Sequence, residues 1–133
     1  MYSVLVVDDS KTNQLYHRLL LSQLGVNAVV VNDGIEALDA FAHDMFDAIL
    51  MDVQMPGTDG YETTAEIRAQ EHSRGTPATP IIGVSGRAIK GDREAAIAAG
   101  MDDYLVKPVS VEELRVILSR WLAVELSIEH EVV

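Results

Sequence analysis

Five short apolar runs, each followed by a stretch with helical spacing, divide this chain, and that alternation limits the folds open to it. The runs are Ser3 to Val7, Asn27 to Asn32, Ala48 to Met51, Pro80 to Ser85 and Asp103 to Val106. They are rich in Val, Ile and Leu and too short for core helices. Runs of this kind read as strands of a parallel sheet buried on both faces. A parallel sheet needs a crossover between successive strands, right-handed, with helices packed on both faces. The expected class is therefore α/β, with no internal repeat and no linker.

The intervening segments carry helix signals. Ser10 is a plausible N-cap for a helix with Leu15, Leu19, Leu20 and Leu24 on one side and Gly25 as its stop. Gly34 to His43 predicts a helix with Ile35, Leu38 and Phe41 inward, and about Tyr61 to Gln70 a third with Ala65 and Ile67 among its apolar positions. Asp92 to Ala99 reads as a short alanine-rich helix stopped by Gly100, and a last helix starts at Ser110 with Val111, Leu114, Leu118, Trp121 and Leu122 at helical spacing. Met55 to Gly60 reads as a turn and His72 to Thr79 as a polar loop.

At 133 residues the chain is long enough for one domain burying about two-thirds of its unfolded surface. It has no cysteine, so a disulfide framework and a thiolate metal site are both excluded. Its apolar stretches fall short of a membrane span, and its first residues show no basic region followed by an apolar core, so a cytoplasmic location with no membrane contact is expected. Lys and Arg number 10 against 21 Asp and Glu, a formal charge of −11 that opposes binding to nucleic acid or anionic lipid. Proteins are the expected partners.

The ends of the strands carry the chemistry. Asp8 and Asp9 close the first run and Asp52 closes the third. Open α/β sheets bind ligands just beyond the carboxyl ends of their strands, so three carboxylates should converge at one edge. Like charges that close repel unless a cation sits among them, and the sequence therefore asks for a metal. Lys107 is the one strongly basic side chain expected at this edge of the fifth strand. Taken singly, each residue has a plainer reading: a strand-end acid can cap a helix, and a lysine can be a solvated surface group.

Together, Val7-Asp8-Asp9, the stretch Met51 to Gly60, Val84-Ser85-Gly86 and Asp103-Tyr104-Leu105-Val106-Lys107-Pro108 resemble the response-regulator receiver domain of two-component signalling, over residues 3 to about 123. The resemblance implies a flavodoxin-like (βα)5 three-layer sandwich with strand order 2-1-3-4-5. It implies a domain over residues 1–124 and a tail over 125–133. It makes Asp52 the phosphoacceptor, attacking a phosphohistidine to become an acyl phosphate. Asp8, Asp9 and Asp52 with the backbone carbonyl of Gln54 would hold Mg²⁺. Lys107 would pair with Asp52 and then with the phosphoryl group, through a cis bond to Pro108. Ser85 would be the switch hydroxyl and Tyr104 the aromatic that changes rotamer with it.

The chain departs from the family in places. Ser85 replaces the commoner threonine, Gly86 a usual alanine and Thr58 a frequent methionine. Gln54 and Arg87 flank the expected route of a hydrolytic water. Asp9-Ser10-Lys11-Thr12-Asn13, the polar loop before the fourth strand and Gly100 to Leu105 are most similar to receivers of hybrid sensor histidine kinases. The implied function is that of a phosphoacceptor signalling domain rather than a separate enzyme, with a histidine kinase or histidine phosphotransfer domain as partner. A pseudo-receiver that binds proteins without being phosphorylated is the alternative. Glu125 to Val133 is too short for an output domain; it would extend the last helix, lead into another domain or fray.

Overall fold

The computed structural model describes residues 1–55, 58–86 and 91–129. In chain order it has β1 (Ser3–Val7), α1 (Lys11–Gln23), β2 (Asn27–Val31), α2 (Gly34–His43), β3 (Ala48–Asp52), α3 (Gly60–Arg74), β4 (Ile81–Ser85), α4 (Asp92–Ala98), β5 (Asp103–Val106) and α5 (Val111–Leu122). The five strands form one parallel sheet in the order β2-β1-β3-β4-β5, the flavodoxin-like arrangement. A two-residue antiparallel ladder, Gln54–Met55 with Thr58–Asp59, occupies part of the segment read as a turn; Pro56, Gly57 and Arg87 lie outside the described residues, as does the Thr58 side chain.

Alternation along the strands separates two cores. Val4 and Val6, Ala48 and Leu50, and Ile82 and Val84 face α1 and α5, packing on Leu20, Leu21, Leu24, Leu114, Ile117 and Leu118. Leu5 and Val7, Ile49 and Met51, and Ile81 face the other side, against Ala37 and Phe41 of α2, Ile67 of α3 and Ala96 of α4. Residues of a strand that point alternately to opposite faces must all be apolar when both faces are covered, which explains the unbroken runs.

The helix faces differ from the expectation. On α1, Leu15 is 59% and Leu19 54% exposed, while Gln14, His17, Leu20 and Leu21 turn inward. Positions 14, 17, 21 and 24 share one stripe at helical spacing, and because two of them are polar the apolar pattern pointed to the neighbouring stripe. On α2, Ile35 is 76% exposed and Ala37 takes the inward place beside Phe41. On α3, Ala65 is exposed; Thr63 and Thr64 are buried, their hydroxyls donating to the carbonyls of Asp59 (3.1 Å) and Gly60 (2.8 Å). Backbone acceptors satisfy the hydroxyls, so the two threonine stems pack as apolar groups.

The segment from His72 was expected to be loop, yet α3 continues to Arg74 and stops at Gly75, whose φ is 67°. Buried Glu71 holds this last turn: its carboxylate accepts from Thr79 N–H (2.6 Å) and from Arg68 (2.8 Å). Arg68 also donates to the Gly100 and Thr79 carbonyls and pairs with Asp102 at 2.8 Å, fastening α3 to the starts of β4 and β5. At the other end of the chain, α5 ends at Leu122 and Ala123 turns the backbone at φ 54°. Leu126 then donates to Ser119 Oγ at 3.0 Å, and Leu126 and Ile128 lie on the core shared by α1 and α5.

Gly60, the first residue of α3, packs directly on the strand end that carries Asp52. A Cβ there would lie 2.4 Å from the Asp52 carbonyl oxygen and 2.9 Å from Val53 Cα, so backbone would have to move. Among the described residues, a Cβ added at Gly86 would meet only Gln54 Oε1, at 3.8 Å. Gly60→Ala is therefore expected to cost about 1–3 kcal/mol in urea denaturation, as overpacking does, and Gly86→Ala nothing comparable. A Gly60→Ala protein as stable as wild type would mean that α3 does not seat on β3 as described.

Candidate active site

Strand register brings the site together. Val7 pairs with Met51, Asp52 with Val84, and Ser85 with Val106, so Asp8, Asp52, Ser85 and Lys107 sit at one end of neighbouring strands. Asp8 and Asp52 are buried and Asp9 is exposed. The three carboxylates can each present an oxygen within 4.8 Å of the others.

Lys107 lies between two of these acids. Its Nζ is 3.2 Å from Asp8 Oδ2 and 3.3 Å from Asp52 Oδ2. The second oxygens are held by backbone: Ser10 N–H donates to Asp8 Oδ1 at 2.9 Å, and Gln54 N–H to Asp52 Oδ1 at 3.0 Å. The Lys107 backbone N–H donates to Ser85 O at 2.7 Å, and the Lys107–Pro108 peptide is cis. Burial pushes the Asp52 carboxyl above its usual range, and the charge of Asp8 adds to this; the Gln54 N–H and Lys107 pull the other way.

Two expected residues stand beside this group. Ser85 is fully buried, with its Oγ 3.4 Å from Gln54 Oε1, a long contact for a hydrogen bond. Tyr104 is half-buried, its hydroxyl 3.4 Å from Asp92 Oδ2 at the start of α4. The Gln54 side chain is exposed and points toward Gly86.

Three buried polar residues escaped the sequence reading, two beside the site and one at the other end of β5. Gln14 and His17 lie on the buried stripe of α1. Burial lowers the His17 pKa, with Asp8 opposing and Lys107 reinforcing that shift, so the imidazole is neutral at pH 7. The third is Asp103, read only as the start of a strand. It is 3% exposed and binds Arg93 of α4 at 3.2 Å, Arg120 of α5 at 3.4 Å and the Trp121 indole N–H at 3.0 Å. One carboxylate thus ties α4 and α5 to β5.

The donor set suits a hard cation. It consists of oxygens from three carboxylates, and the exposed side at Asp9 leaves room for water, which Mg²⁺ prefers to keep. Three acids around one ammonium leave an excess of negative charge for such an ion to balance.

Comparison with known proteins agrees with this geometry. Residues 4–119 match the family described as the response regulator receiver domain. The chain is 39% identical over 123 residues to sensor protein GacS of Pseudomonas syringae pv. syringae, with 92% of the chain covered but only 14% of that protein's length. The receiver domain of the sensor histidine kinase PA1611 from Pseudomonas aeruginosa PAO1, solved with a magnesium ion coordinated in its active site cleft, superposes with a TM-score of 0.82. It is 43% identical, covering 92% of this chain and 98% of that one. The Saccharomyces cerevisiae complex of the histidine phosphotransfer protein Ypd1 with the Ssk1 receiver domain gives a TM-score of 0.85 at 26% identity, over 92% and 89% of the two chains.

The raised Asp52 pKa has a consequence for stability. A folded-state pKa above the unfolded one means that the native protein binds the proton more tightly, so this contribution is full at acid pH and is lost as pH rises through the folded pKa. Without divalent metal, Asp52→Asn should therefore gain on wild type as pH rises from about 3 toward neutrality. Urea denaturation in EDTA across that range measures it, and a flat difference would show that Asp52 ionises without penalty.

Proposed function

This chain belongs to the response regulator receiver domain family, and on that premise we propose that it accepts a phosphoryl group from a phosphohistidine onto Asp52 and changes conformation to signal to a partner. The observation that carries the proposal is the placement of Lys107 Nζ between the buried Asp8 and Asp52, inside a three-acid cluster. Mg²⁺, held by Asp8, Asp9, Asp52 and the Gln54 backbone carbonyl, would supply the positive charge that lets an anionic phosphoryl group approach these acids.

In the transfer, an Asp52 carboxylate oxygen attacks the phosphorus in line with the N–P bond. That bond breaks, its electron pair stays on the donor imidazole, and an acyl phosphate forms. Lys107, already paired with Asp52, lies where the new negative charge appears. Ser85, buried one residue past the Asp52 partner Val84, can offer its hydroxyl to a phosphoryl oxygen. Tyr104, beside Gly83 and in contact with Asp92, would follow a shift of α4. The domain is thus a phosphoacceptor that catalyses its own phosphorylation. The pseudo-receiver alternative finds no support, because Asp8, Asp9, Asp52 and Lys107 are all present and grouped.

The phosphodonor is read as a histidine phosphotransfer domain or a histidine kinase's dimerisation helices, as in the Ypd1 complex of a related receiver. Exposed Leu15, Tyr16 and Leu19 of α1 offer such helices an apolar surface near the pocket. We read residues 1–124 as the receiver unit, drawn from or acting with a hybrid histidine kinase. The charge of −11 speaks against nucleic acid. No helix among the described residues is long and apolar enough to cross a membrane, and a cytoplasmic site fits a phosphohistidine donor.

Acetyl phosphate with Mg²⁺ is expected to add one phosphoryl group, seen by intact-protein mass spectrometry, and none to Asp52→Asn. Equal yield in both proteins would sink the assignment. Trp121, the one tryptophan of the chain, is bonded to Asp103 and so reports on the α4–β5–α5 face. Its fluorescence should change on addition of beryllofluoride with Mg²⁺ in wild type and stay constant in Lys107→Ala; the same response in both would deny the lysine a switching role.

A further inference from the structure

Gln14 is a polar side chain in an apolar position: on the inward stripe of α1 it is 8% exposed. Its Nε2 donates to the Asp8 carbonyl oxygen at 2.6 Å and to Asn32 Oδ1 at 2.8 Å, so both amide hydrogens have acceptors. The reverse amide orientation would set an oxygen against two acceptors, which fixes the assignment. Asn32, just past β2, is itself anchored: its N–H and its Nδ2 donate to Glu36 Oε1 at 2.6 and 2.9 Å. Lys11 Nζ donates to Asn32 Oδ1 at 2.8 Å.

The group so held is the peptide that joins the two adjacent acids. Asp8 N–H donates to Val31 O at 3.2 Å, and Asp8 C=O accepts from Gln14, so Asp8 is fixed at both ends. A trans peptide is planar, and fixing the Asp8 carbonyl also fixes the direction of the Asp9 N and Cα. Asp8's own carboxylate is steadied by Ser10 N–H and Lys107. Asp9 has no such support: among the described residues nothing hydrogen-bonds its exposed carboxylate. Where that carboxylate leaves the backbone therefore depends on the peptide that Gln14 holds.

We propose that Gln14 is a positioning residue for the divalent cation, clamping the Asp8–Asp9 peptide to Asn32 so that the exposed Asp9 carboxylate is aimed at the same point as Asp8 and Asp52. The inference rests on the metal-binding role proposed above for the three acids. Groups that orient metal ligands without touching the metal characteristically change affinity 10–100-fold when removed.

The test is Mg²⁺ binding by isothermal titration calorimetry to the unphosphorylated protein. Gln14→Met keeps the length of the side chain and removes the donor; its Kd should rise about 10-fold or more. Leu118→Val, a core change on α5 remote from the acids, controls for general loss of stability and should bind like wild type. A Gln14→Met Kd within about 2-fold of wild type would overturn the inference, as would an equal loss in Leu118→Val. Should Gln14→Met not fold, Asn32→Ala loosens the same clamp from its other end; weaker binding is expected, and unchanged binding overturns the inference too. If Asp9→Ala binds Mg²⁺ as tightly as wild type, the metal is held elsewhere and it is the underlying site assignment that fails.

Discussion

The pairing of one ammonium with two buried carboxylates sets the terms for the rest of this molecule. Asp8 and Asp52 are taken out of water by β1 and β3, an arrangement that costs several kcal/mol per ion unless a counter-charge is near. Lys107 is that counter-charge, and it arrives from β5, on the far side of β4 from Asp52. The lysine can reach both acids only if the sheet keeps its register across β1, β3, β4 and β5. Packing on both faces keeps that register, since a slip of one residue would exchange the two cores. The site and the sheet are thus mutually dependent.

Around this pair the chain spends most of its polar contacts on backbone geometry. Ser10 and Gln54 N–H groups hold the outer oxygens of Asp8 and Asp52, Gln14 holds the Asp8 carbonyl, and the absence of a side chain at Gly60 lets α3 rest against the Asp52 carbonyl. At the opposite end of the sheet Arg68, Glu71 and Asp102 do the corresponding work for α3, β4 and β5. The ends of the elements are tied by charge-assisted bonds, which are stronger than neutral ones, while their middles are held by apolar packing.

The strands and the acids were legible in the sequence because their signals are local: a strand buried on both faces has no polar interruption, and an acid at its end stands out. Helix faces were less legible. The four leucines of α1 suggested a stripe through Leu15 and Leu19, but Gln14 and His17 carry the buried one, and a pattern based on hydrophobicity cannot see a buried glutamine. Ile35 and Ala65 failed for a related reason, since Ala37 and the threonines Thr63 and Thr64 fit closer to the sheet. Asp103 was illegible because its partners, Arg93 and Arg120, come from two different helices and meet it only in the fold. Gly60 left a trace, as a glycine just before a helical pattern, but nothing in the sequence says that a carbonyl lies beneath it.

Asp103 has an implication for how such a domain can diversify. Its two arginines are largely exposed and lie at the amino-terminal end of β5, away from the acids, so replacing either leaves the pocket's charges in place. Each replacement alters how firmly one helix is fastened to the strand between them. The resting bias of an equilibrium can be moved in this way without a change in what tips it, because a shift of 1.4 kcal/mol alters a population ratio tenfold whatever its origin. Under the proposed function, chemistry and threshold are therefore separately heritable: lineages can keep one reaction and retune the level of stimulus at which it counts.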